Sequence, residues 1–131
     1  MSLWSLLAAP LIAGNDLRSM TDETKSILMN PEVIAIDQDP DYKPVTSLSS
    51  DGGIEVLMRP LHDGSVAVGI FNRTAVPVQT KFSRNSLPAS LTGSEMKVRD
   101  LWKHEAVEMQ AGAFNATVPS HGVVLLKVSV Q

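Results

Sequence analysis

Apolar and polar positions change their rhythm near residue 42 of this chain. Before it, Trp4, Leu7 and Ala8 recur at helical spacing, and Pro10, which lacks the main-chain N–H a helix needs, ends that run. Leu11 to Ala13 is short, apolar and closed by Gly14, the pattern of a buried strand. Thr21 is a good N-cap, and Asp22 and Glu23 follow it where the helix dipole favours negative charge, so a second helix is predicted to about Met29. Asn30-Pro31 ends it and opens a third helical segment, with Pro31 at its first position and Val33, Ile34 and Ile36 as its apolar side. The first third therefore reads helix, strand, helix.

From about Ser47 the period becomes two, and turn residues recur every ten or so positions. Strands are predicted at Ile54 to Arg59 and Ser65 to Asn72, joined by the Gly-containing loop His62-Asp63-Gly64. Further strands follow at Val78 to Ser83, Met96 to Leu101, Ala106 to Met109, Phe114 to Val118 and Val123 to Val130. No connection is long enough for a crossover helix, so the strands form an antiparallel, Greek-key-like β-sandwich. Asn85 to Ser94, which contains Pro88 and Gly93, is the least determined stretch. Because alternation in the second half is self-sufficient, the core is expected to belong to the β-half alone.

Composition narrows the function classes. The 131 residues are 44% apolar and 19% charged, which suits a globular chain but falls far short of the ~250 residues of a complete (β/α)₈ barrel. A formal charge of −3 without any Lys or Arg cluster argues against nucleic acid and membrane surfaces as partners. The absence of cysteine removes disulfides, thiolate metal sites and a Cys nucleophile. Leu3 to Ile12 superficially resembles a secretory leader, but no basic residue precedes it and Pro10 interrupts it. The run is also shorter than the ~20 residues that span a bilayer.

Specific words then carry a resemblance. Leu3-Trp4-Ser5-Leu6-Leu7-Ala8-Ala9-Pro10-Leu11, then Gly14-Asn15-Asp16-Leu17-Arg18, then Ile36-Asp37-Gln38-Asp39-Pro40 resemble, in order and spacing, the α-galactosidase (melibiase) family of retaining glycoside hydrolases. Arg59-Pro60-Leu61, Asp100-Leu101-Trp102 and the ending around His121-Gly122 look like the same family's C-terminal β-domain. The resemblance implies a mainly β chain: residues 1–41 as the helix-strand-helix remnant of a (β/α)₈ barrel, and 42–131 as an antiparallel β-sandwich. It implies that the remaining barrel is the partner, that the parent enzyme hydrolyses terminal α-galactosyl (or α-N-acetylgalactosaminyl) groups without a cofactor, and that family members work in secreted, periplasmic or lysosome-like settings.

Retaining hydrolysis needs two carboxyls ~5 Å apart across the scissile bond. The family's Lys-x-Asp nucleophile segment has no counterpart here, so the chain is expected to be inactive alone. Arg18 to Asp22 imitates the spacing of the acid/base segment, but Asp22 reads as a first-turn helix carboxylate. Asn15 and Asp16 fall where the resemblance places the end of the last barrel strand, which makes them the candidate substrate-proximal pair; the alternative is that they tie down the barrel rim. Asp37, Asp39 and Asp41 lack the Gly and distal Glu of a calcium loop and read as a surface acidic turn. His62, His104 and His121 are too dispersed for a metal motif. Tyr42 and Trp102 suit packing better than sugar stacking. The sequons Asn72-Arg73-Thr74 and Asn115-Ala116-Thr117 permit glycosylation only in a chain secreted by a host that carries it out. Three readings stay open: an enzyme's C-terminal portion, a free-standing carbohydrate-binding module, and a structural module. With the barrel gone, residues 1–40 either fold back on the β-domain or self-associate, since Leu11 to Ala13 offers unpaired backbone.

Overall fold

The computed structural model describes residues 1–92, 95–110 and 112–130. Its amino-terminal part contains α1 (Ser2–Leu6), a 3₁₀ turn at Leu17–Ser19, α2 (Asp22–Leu28) and α3 (Pro31–Asp37). Eight strands follow: β1 (Thr46–Asp51), β2 (Ile54–Pro60), β3 (Val66–Asn72), β4 (Val78–Ser83), β5 (Met96–Asp100), β6 (Glu105–Val107), β7 (Ala113–Val118) and β8 (Val123–Val130). A one-turn helix, α4 (Ala89–Thr92), lies between β4 and β5.

Six strands form one sheet in the order β1-β2-β3-β8-β5-β6, and β4 pairs with β7 in a second; every pairing is antiparallel. The chain changes sheet four times between β3 and β8, which is how the Greek-key-like sandwich predicted from the strand pattern is built. Between the sheets lies one core, with Val56, Met58, Val68, Ile70, Leu126 and Val128 from the large sheet facing Phe82, Phe114 and Val118 from the small one. Leu87 and Leu91 complete it from the stretch whose pattern was least determined. Gly93 and Ser94, at the end of that stretch, lie outside the described residues.

The large sheet has a second buried face. Leu57, Leu61, Ala67, Phe71, Leu101 and Leu125 pack there against Leu6 of α1 and Val33 and Ile36 of α3. Strand β3 is consequently buried on both sides along its whole length, which explains why Val-Ala-Val-Gly-Ile-Phe-Asn shows no polar alternation. Gly69 is where α1 comes closest: a Cβ there would lie 2.6 Å from Leu6 Cδ1 and 2.7 Å from Phe71 Cε2. The expectation of a core confined to the β-half does not hold, because the sheet is wet on neither face at its centre.

Other expectations are corrected in the amino-terminal part. Leu11 to Ala13 forms no strand; an isolated strand has no ladder, and among the described residues none pairs with it. The stripe Trp4–Leu7 faces outward, with Trp4 55% and Leu7 50% exposed, while Ser2, Ser5 and Leu6 take the inner side of α1. Strand β1, for which no strand was predicted, is a polar edge strand that the hydrophobic pattern could not reveal. The predicted strand Ala106 to Met109 begins one residue earlier and stops at Val107.

Candidate functional site: the seam between helices and sandwich

The polar chemistry of this chain concentrates where its first 43 residues meet the large sheet. Leu57 and Arg59 share one face of β2, and Arg59 is wholly buried on it, opposite Ala67. Its Nη1 donates to Ser5 O at 3.0 Å and Ile36 O at 2.9 Å, and its Nε donates to Lys43 O at 3.1 Å. Two of these carbonyls belong to the last turns of α1 and α3, where the helix dipole is negative; Ser5 O also accepts from Ala8 N at 3.3 Å. One guanidinium thus gathers three backbone segments onto the sheet.

Further contacts extend the seam. Asn30 caps α3, its Oδ1 accepting from Glu32 N at 3.0 Å and Val33 N at 3.2 Å, while its Nδ2 donates to Leu101 O at 2.9 Å across the seam. Glu32 receives Arg99 through two bonds, Nε at 2.5 Å and Nη2 at 2.8 Å, and meets His104 Nδ1 at 2.6 Å. The hydrogen-bonded Arg99 guanidinium, aided by His104 and opposed by burial, lowers the Glu32 pKa to about 2. Trp102 Nε1 donates to Ser2 Oγ at 2.8 Å, so its ring packs beside α1, as the packing reading expected.

The acidic triplet is not the surface turn that its pattern suggests. Asp37 and Asp39 are buried and only Asp41 is exposed. Asp39 is spent on main chain, its Oδ1 accepting from Asp41 N at 3.2 Å and its Oδ2 from His62 N at 2.9 Å. Asp41 pairs with Lys43 at 2.8 Å and His62 at 3.0 Å. These carboxylates fasten the linker to the β2–β3 loop. Among the described residues no group of three or more metal-ligating side chains comes together.

Asn15 and Asp16 lie apart from this seam, exposed, on the segment leading into the 3₁₀ turn. Asp16 accepts from Arg18 N at 3.0 Å and from Arg18 Nη2 at 2.9 Å, and that guanidinium depresses its pKa. Asp22 opens α2 behind the Thr21 cap, whose Oγ1 accepts from Thr24 N at 3.2 Å. Tyr42 is exposed. Leu7, Ile12, Leu17, Ile27 and Met29 join Trp4 as large apolar groups left open on the helical part, Ile12 being 82% exposed. Sequence reasoning missed Arg59 and the second role of Asn30. The available signal was weak: Arg59 lies two residues from Leu57, hence on the same face of β2, but Glu55 shares that parity and is not buried.

Known proteins match both halves of this arrangement. The model of the alpha galactosidase C-terminal beta sandwich domain covers residues 51–128, and that of alpha galactosidase A covers residues 1–39. Alpha-galactosidase A of Cellvibrio japonicus is 35% identical over 137 residues, spanning 98% of this chain and 34% of its own length. An alpha-galactosidase of Oryza sativa is 39% identical over 121 residues, spanning 92% and 28%. The solved structure of alpha-galactosidase I from Mortierella vinacea superposes with a TM-score of 0.88 at 30% identity, over 99% of this chain and 34% of that one. A β-L-arabinopyranosidase from Geobacillus stearothermophilus does so with a TM-score of 0.85 at 25% identity, over 98% and 28%.

Fold and seam together define the C-terminal β-sandwich domain of a glycoside hydrolase, with a helical stretch clamped to one sheet. The chain belongs to the α-galactosidase family. It spans between 24% and 34% of the length of the curated relatives described by their alignments, and is the C-terminal portion of an enzyme of that kind.

Proposed function

We propose that this chain is the buttress of an enzyme that hydrolyses terminal α-galactosyl groups, and that it has no turnover of its own. The sandwich holds the last elements of a catalytic barrel through the Arg59 seam. The observation that carries this reading is the two-sidedness of the helical part. Its inner side is locked to the sheet by buried contacts, whereas its outer side presents Trp4, Leu7, Ile12, Ile27 and Met29 to solvent. Such a face suits burial against further protein. We divide the chain into a barrel remnant at 1–41 and a sandwich at 42–131, a division supported by family matches that stop at 39 and resume at 51. We place Asn15 and Asp16 near the substrate rim of the complete enzyme, with Asp16 held by its hydrogen bonds from Arg18. Because the same fold accompanies an arabinopyranosidase, the sandwich does not choose the sugar.

The test is a graft: this chain replaces the corresponding portion of the Cellvibrio enzyme, and hydrolysis of p-nitrophenyl α-galactoside is followed. Activity of the graft with none from the chain alone is expected. Turnover by the isolated chain that Asp16→Asn or Asp22→Asn abolishes would overturn the reading. The same open face should make the isolated chain self-associate. Light scattering is expected to show dimers or larger species, reduced to monomer by Trp4→Glu with Ile12→Glu; a monomeric wild-type chain would refute the pairing.

A further inference from the structure

Two sequons that are equivalent in sequence occupy opposite environments. Asn72, at the end of β3, is only 2% exposed. Its Nδ2 donates to Val76 O at 2.8 Å, Val118 O at 3.1 Å and Pro119 O at 3.0 Å. Its Oδ1 accepts from Thr74 N at 2.8 Å and Thr74 Oγ1 at 2.7 Å. Both amide hydrogens are therefore committed to main-chain carbonyls of two separate turns, and the sequon hydroxyl of Thr74 is tied into the same knot. Asn115 lies in β7, exposed, with Thr117 exposed two residues on. Among the described residues its amide makes no hydrogen bond.

The layer order places Asn115 favourably. In β7, Phe114 and Val118 point into the inter-sheet core, so Asn115 and Thr117 lie on the outer face of the small sheet, opposite Lys81 and Gln79. The helical part covers the far face of the large sheet. Asn115 is thus on the side of the sandwich remote from the proposed barrel contact. Strand β7 also belongs to a two-stranded sheet, so among the described residues its second edge has no strand partner beyond the single bridge of Ala113 to Gln110, a hazard that a bulky polar group relieves.

We propose that Asn115 is an N-glycan acceptor of this chain and that Asn72 is not. In the transfer, Asn115 Nδ2 forms a bond to C1 of a lipid-linked oligosaccharide, the C1–O bond to the lipid diphosphate breaks, and one amide proton is lost. Transfer precedes folding, so selection falls on what the folded state tolerates. A sugar at Asn115 projects into solvent, whereas one at Asn72 removes a committed hydrogen and fills a buried turn.

The full chain, secreted from a glycosylating yeast behind a leader peptide, tests this. Endoglycosidase treatment that leaves one N-acetylglucosamine per occupied asparagine, followed by peptide mass spectrometry of the folded wild-type protein, reads both sites without any variant. One sugar at Asn115 and none at Asn72 is expected, with the mass shift lost in Asn115→Gln and in Thr117→Ala. A folded protein glycosylated at Asn72, or unoccupied at Asn115, would overturn the assignment.

Discussion

Replacing Arg59 by methionine should release the seam. Methionine keeps much of the aliphatic volume but removes the guanidinium from Ser5 O, Ile36 O and Lys43 O, of which Ser5 O retains a 3.3 Å bond from Ala8 N. Buried ionic groups often exchange for apolar ones at no loss, but that holds when both partners become apolar. Here the partners are main-chain carbonyls that no substitution removes. Three hydrogen bonds to a charged group are worth about 1.5–3 kcal/mol each at most. Partial rehydration as the helices loosen reduces the total, so a net loss of about 3–5 kcal/mol is expected, the range seen when one member of a buried pair is deleted. For a domain of this size that corresponds to a fall in Tm of about 10–20 °C. Trp102 reports on the seam through its contact with Ser2 at 2.8 Å, and far-ultraviolet circular dichroism reports on the strands. Tryptophan emission and the strand signal should be lost together at lower urea than in wild type, because the helices cover one face of the same large sheet. Arg59→Lys, which keeps the charge but lacks the planar fork, should recover only part of the loss. A methionine variant within about 0.5 kcal/mol of wild type, the spread of ordinary surface changes, would refute the clasp.

Three further predictions test the same architecture. Gly69→Val drives side-chain atoms into Leu6 and Phe71, and should lower stability by about 1–3 kcal/mol in urea titration, with Gly69→Ala milder because the nearest atoms are movable side-chain ends. Glu32 has a folded pKa of about 2 against an ordinary 4.5, so its contribution is fully present above 4.5 and lost as pH falls toward 2; with Arg99 and His104 about half exposed, about 1–2 kcal/mol remains after screening, and Glu32→Gln should flatten urea midpoints across that window. A chain starting at Pro44 uncovers Leu57, Leu61, Ala67, Phe71 and Leu125 and strips Arg59 of its carbonyls from Ser5, Ile36 and Lys43, so it should show no cooperative thermal transition; a sharp one would mean that the inter-sheet core suffices.

Local sequence determined most elements. Val78 to Ser83 and Val123 to Val130 alternate or run apolar strongly enough to fix their strands, and Thr21 and Asn30-Pro31 set helix starts through short-range capping. The family words fixed the class for the same reason, since their order and spacing lie in the chain itself. What tertiary structure alone decided is which side of each element is inside. Trp4 and Leu7 carry the more apolar stripe of α1, yet Ser5 and Leu6 are buried because Gly69 lets that side approach the sheet. Leu11 to Ala13 has strand composition but no ladder, because a strand exists only through a partner that sequence-local forces do not supply. Arg59 and Asp39 look like surface charges, and they are buried because helix-end carbonyls and the His62 amide reach them from residues far away in the chain. The two sequons make the same point: their letters are equivalent, and only the packing around Asn72 and the open face around Asn115 tell them apart.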